Sequence, residues 1–236
     1  MTMTIQKNRM FPFITDTCNP LGGHCIHGCI YCWSQSTKGL VNRFNMQKYR
    51  GQPTLYKKEL QSRWKPNSFI FLCDMLDAFA DDVPIENILA MLEIPRNNVE
   101  SQFLLSTKNP IRYLDVLEKI PRNCVLGLTI ENNLKQANIS YAPQPFWRLF
   151  SMETVVHKDN GNHKVFCAIE PILKFDLDRF VESIKRLNPW AVAVGYDNYH
   201  HKLPEPCLAD TKELIGELEK FTVVYRKSLR KAWWEK

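Results

Sequence analysis

No stretch of this 236-residue chain approaches the ~20 consecutive apolar residues that a membrane helix needs. The apolar stretch near the start, Met10 to Ile14, is short, contains Pro12 and runs into Asp16, so no secretory leader is expected. Glycine is scarce at 9 residues, and no repeat or low-complexity tract interrupts the chain. With 44% hydrophobic and 24% charged residues, the disordered, collagen-like and coiled-coil classes are excluded. A chain this long buries enough surface to fold without disulfides. A soluble cytoplasmic protein with no membrane partner is expected. Its eight cysteines should then be reduced, and a cluster of them points to metal or redox chemistry.

The net charge of +6 is unevenly spread. Residues 1–65 hold 10 Lys/Arg against 2 Asp/Glu, residues 66–219 hold 15 against 22, and residues 220–236 hold 6 against 1. Basic ends around an acidic middle suggest an anionic partner, nucleic acid among them; solvated surface lysine is the plainer reading.

Strand-like and helix-like stretches alternate along the chain. Short β-rich apolar runs occur at Phe11–Thr17, Ser68–Cys73, Gln102–Thr107, Cys124–Ile130, Lys164–Ile169 and Trp190–Gly195, with Phe221–Tyr225 as a seventh. Such runs suit strands covered on both faces. Helical patterns fall between them at Pro53–Trp64, Pro84–Glu93, Pro110–Ile120, Gln144–Glu153, Asp176–Leu187 and Asp210–Lys220. The alternation predicts parallel β/α units. Six units fall short of an eight-unit barrel, so the expected fold is α/β, a single-domain partial (βα)6 TIM-like barrel, with a doubly wound sheet as runner-up. The expected organisation is a barrel over residues 1–220 and a C-terminal strand with a basic, tryptophan-bearing extension over 221–236. In either fold the active site lies at the carboxyl ends of the strands. The polar residues there are Asp74, Asp77, Lys108, Asn109, Glu131, Asn132, Glu170, Asp197, His200 and His201.

The first connection breaks the rhythm. Residues 18–52 are too many for an ordinary βα loop, and such loops are usually functional. Within it, Cys25, Cys29 and Cys32 form Cys-x3-Cys-x2-Cys. Random placement of eight cysteines would give this triplet about 0.01 times, so chance is a weak explanation. The spacing lets one tight loop aim three sulfurs at one centre. A zinc ion would need a fourth ligand, from Cys18, His24 or His27. An iron–sulfur cluster held by three thiolates would keep one iron open, which suits catalysis.

Cys25, Cys29, Tyr31 and Cys32, placed after the first strand of a partial barrel, resemble the cluster motif of the radical S-adenosylmethionine (radical SAM) superfamily. A second resemblance rests on Cys18-Asn-Pro, Phe71-Leu-Cys-Asp-Met, Leu105-Ser-Thr-Lys-Asn-Pro, Gly127-Leu-Thr-Ile-Glu-Asn and Ile169-Glu-Pro-Ile-Leu. These are similar to a phage- and prokaryote-associated branch whose fold is distantly similar to spore photoproduct lyase. The superfamily's Gly-Gly-Glu element after strand two is replaced here by Cys73-Asp74-Met75.

The resemblance implies a 4Fe–4S cluster on Cys25, Cys29 and Cys32, with S-adenosyl-L-methionine (AdoMet) chelating the fourth iron. It implies reductive cleavage of AdoMet to a 5′-deoxyadenosyl radical that abstracts hydrogen from substrate, and an electron donor of flavodoxin or ferredoxin type. Tyr31 would sit against the adenine, Asp74 on the methionine ammonium, Lys108 on its carboxylate and Glu131 on the ribose hydroxyls. Ile169 and Glu170 would fall at the last adenine-side contacts. The alternative is a zinc- or iron–sulfur-bearing nucleic-acid-binding module without turnover.

Cys73, Cys124 and Cys167 lie in apolar strand patterns and read as core. Cys18 and Cys207 lie at the expected rim, where a thiol could donate a hydrogen atom to a product radical. His24 and His27 read as hydrogen-bonding loop residues. Trp233 and Trp234 could stack on bases beside the terminal lysines or pack beneath the barrel. The basic segment around the cluster loop favours a nucleic acid or a phosphorylated small molecule as substrate. No second cysteine cluster is present, and a partner protein could close the barrel's open side.

Overall fold

The computed structural model describes residues 10–236. Seven parallel strands form one curled sheet: β1 (Asp16–Cys18), β2 (Phe69–Leu72), β3 (Gln102–Thr107), β4 (Cys124–Thr129), β5 (Lys164–Ile169), β6 (Ala191–Val194) and β7 (Val223–Arg226). Each strand pairs with its sequence neighbours, as in Leu104 with Val125 and Ala168 with Ala193. The sheet is a partial TIM-like barrel, open between β1 and β7. The seventh run is therefore a full member of the sheet, shifted to start at Val223.

Side chains alternate across each strand, so every second residue faces the barrel interior. Phe69, Leu104, Val125, Phe166, Ala168, Ala191 and Ala193 form the inner layer. Their neighbours Ile70, Phe103, Leu126, Cys167 and Val192 face the helices. Both faces are covered, which is why the strands are continuously apolar. Cys73, Cys124 and Cys167 are buried in the outer layer.

The helices Ile85–Met91, Pro145–Asp159, Leu177–Arg186 and Leu208–Leu218 supply the outer shell. The third starts where Asp176 accepts the Arg179 backbone N–H at 3.2 Å, an N-cap. The second runs six residues beyond its expected end and stops at Asn160, which takes the left-handed conformation at φ 52°.

Three expectations are corrected. Phe11–Ile14 is not strand; it turns into the barrel, where Phe11 stacks edge-on to Phe166 at 4.7 Å. Pro53–Trp64 is not a helix. Thr54–Leu55 pairs antiparallel with Leu21–Gly22, and Lys57–Gln61 makes a 3-10 turn. Gly22 is required there, because a Cβ would lie 2.3 Å from the Lys48 carbonyl. Pro110–Ile120 consists of 3-10 pieces, Pro110–Asp115 and Leu117–Lys119, burying Pro110, Tyr113, Val116 and Ile120, with Leu114 and Leu117 half-buried against the core and Ile111 exposed. Spacing by three is the period of a 3-10 helix, and it brings the Tyr113 hydroxyl to the carbonyls of Leu105 (2.8 Å) and Gly127 (3.0 Å).

Candidate active site

The loop after β1 folds back on itself at the carboxyl end of the sheet. The Cys32 N–H donates to the Cys29 carbonyl at 3.0 Å, and Gly28 takes φ 49° to make the bend between Cys25 and Cys29. Gln35 braces the loop: its side chain accepts the Cys25 N–H at 2.7 Å and donates to the carbonyls of Gly23 and Met75. Its own N–H donates to Cys32 Sγ at 3.2 Å. Ser140 Oγ stands 3.1 Å from Cys29 Sγ.

The thiols sit in apolar surroundings, with Cys29, Cys32 and Tyr31 against Ile139, Leu173 and Leu203. Burial pushes the Cys25 thiol up to about 12 and raises that of Cys29. Buried thiolates here would need a cation to compensate them, as the irons of a cluster would do. Three thiols on one loop, with a backbone donor to Cys32 Sγ, a hydroxyl beside Cys29 Sγ and an apolar wall along Cys29 and Cys32, fit a 4Fe–4S cluster. Among the described residues, no three His, Cys, Asp or Glu side chains converge on a single-ion site.

Alternation along β3 and β4 carries Lys108 and Glu131 to the barrel mouth beside this loop. Glu131 is fully buried. One carboxylate oxygen accepts from the Tyr31 hydroxyl and the Lys108 ammonium. The other accepts from Arg148 at 2.8 Å and Gln136 at 3.1 Å. Burial alone would oppose the charge, yet Arg148 and Lys108 outweigh it and hold the carboxyl well below the usual range. All four lone-pair directions are in use. The role expected of Glu131, accepting from ribose hydroxyls, would require one of these bonds to open. Tyr31 is brought into the site with its ring buried and the Lys108 ammonium 5.2 Å from its centroid.

Asp77 forms a second anchor. It accepts from His27 Nε2 (2.9 Å), Thr107 Oγ1 (3.0 Å), the Lys108 N–H (2.8 Å) and the Phe79 N–H (3.0 Å). Burial opposes its charge, but His27 and these donors keep the carboxyl low. His27 is thus a hydrogen-bonding loop residue that ties the cysteine loop to the end of β3.

Other expected residues stand outside the Glu131 and Asp77 networks. Asp74 is held by Asn19 Nδ2 at 2.6 Å, apart from the Glu131 network, and burial raises its carboxyl. Cys18 pairs in register with Leu72 and faces the outer layer, away from the barrel interior; burial lifts its thiol to about 11. It borders a polar cleft of about 480 Å³ with Lys48, Glu59 and Arg63. Cys207 caps the helix Leu208–Leu218, its sulfur accepting the Asp210 N–H at 3.3 Å. In this structure Cys18 is a packing thiol beside a cleft and Cys207 a half-buried capping group. Ile169 is buried in the outer layer. Glu170 faces inward and meets Lys227 at 3.0 Å, while burial raises its carboxyl. Asn109 stands at the N-cap position of the 3-10 turn Pro110–Asp115 without a side-chain bond to it; its amide donates to Asp81 at 2.7 Å. His201 and Asp197 pair within their own loop at 3.0 Å.

The tryptophans do not lie beneath the barrel. Strand β7 is parallel to the rest, so everything after Arg226 emerges at the mouth. Trp233 Nε1 donates to the Leu203 carbonyl (2.7 Å) and Trp234 Nε1 to that of Glu205 (3.0 Å). Arg230 makes a two-pronged bond with buried Glu205, both arms within 2.8 Å. The tail thus fastens the loop whose Leu203 packs on Cys29 and Tyr31.

Sequence reasoning missed Gln35, Gln136, Ser140 and Arg148. None carries a motif; an arginine within an amphipathic helix ordinarily reads as surface.

Solved structures share this architecture. Spore photoproduct lyase with AdoMet and dinucleoside spore photoproduct bound is similar with a TM-score of 0.56 and 11% identity, covering 92% of this chain and 66% of that one. SuiB of Streptococcus suis matches with a TM-score of 0.53 and 10% identity, over 92% of this chain and 50% of that one. Native anSMEcpe with bound AdoMet matches with a TM-score of 0.50 and 9% identity, over 89% and 63%. The chain therefore spans less than two thirds of the length of these proteins. The partial barrel is the fold of radical SAM enzymes. No curated protein matches the sequence. The family model described as "Protein of unknown function (DUF5131)" matches residues 9–175, and the chain belongs to that family.

Proposed function

We propose that the chain is a radical SAM enzyme that binds a 4Fe–4S cluster on Cys25, Cys29 and Cys32 and AdoMet beside it. The observation that carries this reading is the position of the Cys-x3-Cys-x2-Cys loop: it leaves β1 of a partial barrel and is locked to the strand ends through Tyr31–Glu131 and His27–Asp77. When bound, cluster and AdoMet would supply one-electron cleavage of the sulfonium and a carbon radical that abstracts hydrogen.

The chain's own residues do the rest. Lys108 presents an ammonium at the mouth to the AdoMet carboxylate, and the Tyr31 ring walls the site towards the adenine. Glu131 orients both. Asp74 is proposed for the AdoMet ammonium, on the same side of the mouth as β1. Glu170, paired with Lys227, lines the mouth beyond Ile169. The Leu203 loop, fastened by the terminal tryptophans, covers the Cys29 side of the site, which would keep radical chemistry from being quenched by water. An external one-electron donor of flavodoxin or ferredoxin type reduces the cluster. The substrate class proposed is nucleic acid or a phosphorylated small molecule, from the cations at residues 38–65, and a partner protein would close the open side.

The test is direct. Anaerobically reconstituted protein should be brown, hold about four irons and, with a strong reductant, release 5′-deoxyadenosine from AdoMet. Cys29→Ala should abolish both colour and cleavage. A colourless protein carrying one zinc per chain, with no cleavage, overturns the reading in favour of a binding module.

A further inference from the structure

One segment of the site is used neither by the barrel nor by the Glu131 network. Residues 138–142, beyond β4, lie across the cysteine loop as a strap. The Tyr141 N–H donates to the His27 carbonyl at 2.8 Å, and the Ile30 N–H donates to the Ile139 carbonyl at 3.0 Å. The Tyr141 ring covers Gly28 so closely that a Cβ there would stand 2.8 Å from it. Between these contacts sits Ser140. Its Oγ accepts the Ala142 N–H at 3.0 Å, donates to the His27 carbonyl at 3.1 Å and stands 3.1 Å from Cys29 Sγ.

We propose that Ser140 sets the reduction potential of the cluster by donating a hydrogen bond to Cys29 Sγ, an inference that rests on the radical SAM reading.

The hydrogen count decides the direction of that bond. With Cys29 protonated, one hydrogen lies on sulfur and one on the serine, and the serine hydrogen is free to point at His27. A thiol that binds iron gives up its proton. The only hydrogen left between Sγ and Oγ is then the serine's own. The His27 carbonyl keeps the Tyr141 N–H, so turning the hydroxyl towards sulfur leaves no orphaned acceptor. A donor to a cluster thiolate stabilises the more negative, reduced state and raises the potential. Cys32 receives its donor from the Gln35 backbone. Cys29 receives its own from a side chain 111 residues away in sequence. Ser140 is therefore a positioning residue that acts through sulfur, without touching substrate.

The experiment is a redox titration, followed by EPR, of the reconstituted protein without AdoMet. Wild type is compared with Ser140→Ala, Ser140→Thr and Ser140→Val. Ser140→Ala and Ser140→Val should shift the midpoint to more negative potential at unchanged iron content, and Ser140→Thr should restore it. If Ser140→Ala fails to load, the Thr and Val variants, alike in shape and different only in the hydroxyl, carry the comparison. Coincident midpoints for Thr and Val overturn the proposal while leaving the radical SAM reading intact. A wild-type protein with no reducible cluster overturns both.

Discussion

Glu131 is a buried carboxylate between two cations, and its neighbours depend on it more than it depends on them. Removing its charge leaves the buried Arg148 guanidinium and the Lys108 ammonium with hydrogen-bond acceptors but no counter-charge. Glu131→Gln should therefore destabilise the fold by about 3–5 kcal/mol at neutral pH, the usual cost of breaking a buried pair. The measurement is a lowered urea midpoint with an unchanged slope. The pH dependence has a definite sign. A carboxyl held low in the folded state contributes stability that is present above its unfolded value of about 4.3 and lost as the pH falls through the folded value. The gap between wild type and Glu131→Gln should accordingly narrow below about pH 4; a gap constant to pH 3 would contradict the assignment. Lys108 and Glu131 were legible as mouth residues, because strand alternation and the β/α rhythm place them there. Their mutual bond was not legible, because the buried carboxylate is also held by Arg148, which arrives from the helix 17 residues on, and by Gln136 of the intervening loop. The reach of those residues is set by packing and not by local spacing.

At the scale of elements, the least legible piece is the segment before β1. Phe11, Phe13 and Ile14 carry a strand-like pattern, but the open side of a seven-stranded sheet leaves the inner layer uncovered. The segment fills that gap instead of extending the sheet. Phe13 lies 4.8 Å from Phe69 on β2 and 5.4 Å from Tyr225 on β7, so one ring reaches across the open side from the second strand to the last. Phe11 sits deeper, against Phe71 and Phe166, with the Lys227 ammonium 4.9 Å from its ring centroid. Phe11→Ala should cost about 3–5 kcal/mol, as for a large aromatic removed from a packed interior. It should also loosen the Glu170–Lys227 pair above it. Chemical denaturation checks the first effect, and a stability within about 1 kcal/mol of wild type would show that the segment is a dispensable cover. The strand and helix order was readable from periodicity because tertiary packing agrees with it. It misled where packing imposed another period, as at the 3-10 turns of residues 110–119 and at the pinned ribbon of residues 54–55.

The whole molecule separates a buried site from a basic flank. The connection between β1 and β2 exposes seven cations, Lys38, Arg43, Arg50, Lys57, Lys58, Arg63 and Lys65. Glu59 is its one carboxylate, and that is already paired with Lys48. Phe44 stands 65% exposed under the Arg43 guanidinium, an aromatic–cation arrangement that suits an unpaired base beside a phosphate. This flank meets β1 at the outer face of the sheet, where Cys18, Lys48, Glu59 and Arg63 line one cleft, so a polyanion held there would lie over that face. If nucleic acid is the substrate class, a single-stranded oligonucleotide should bind with an affinity that falls linearly in log salt. Replacing Arg43, Arg50, Lys57 and Lys58 together by Ala should make that slope shallower, by about one for each phosphate no longer neutralised. Cleavage of AdoMet in the absence of substrate should be unchanged, because none of the four residues reaches the cysteine loop or the Glu131 network. Equal slopes for wild type and the quadruple variant would assign the flank to solvent and leave a phosphorylated small molecule as the substrate class to pursue.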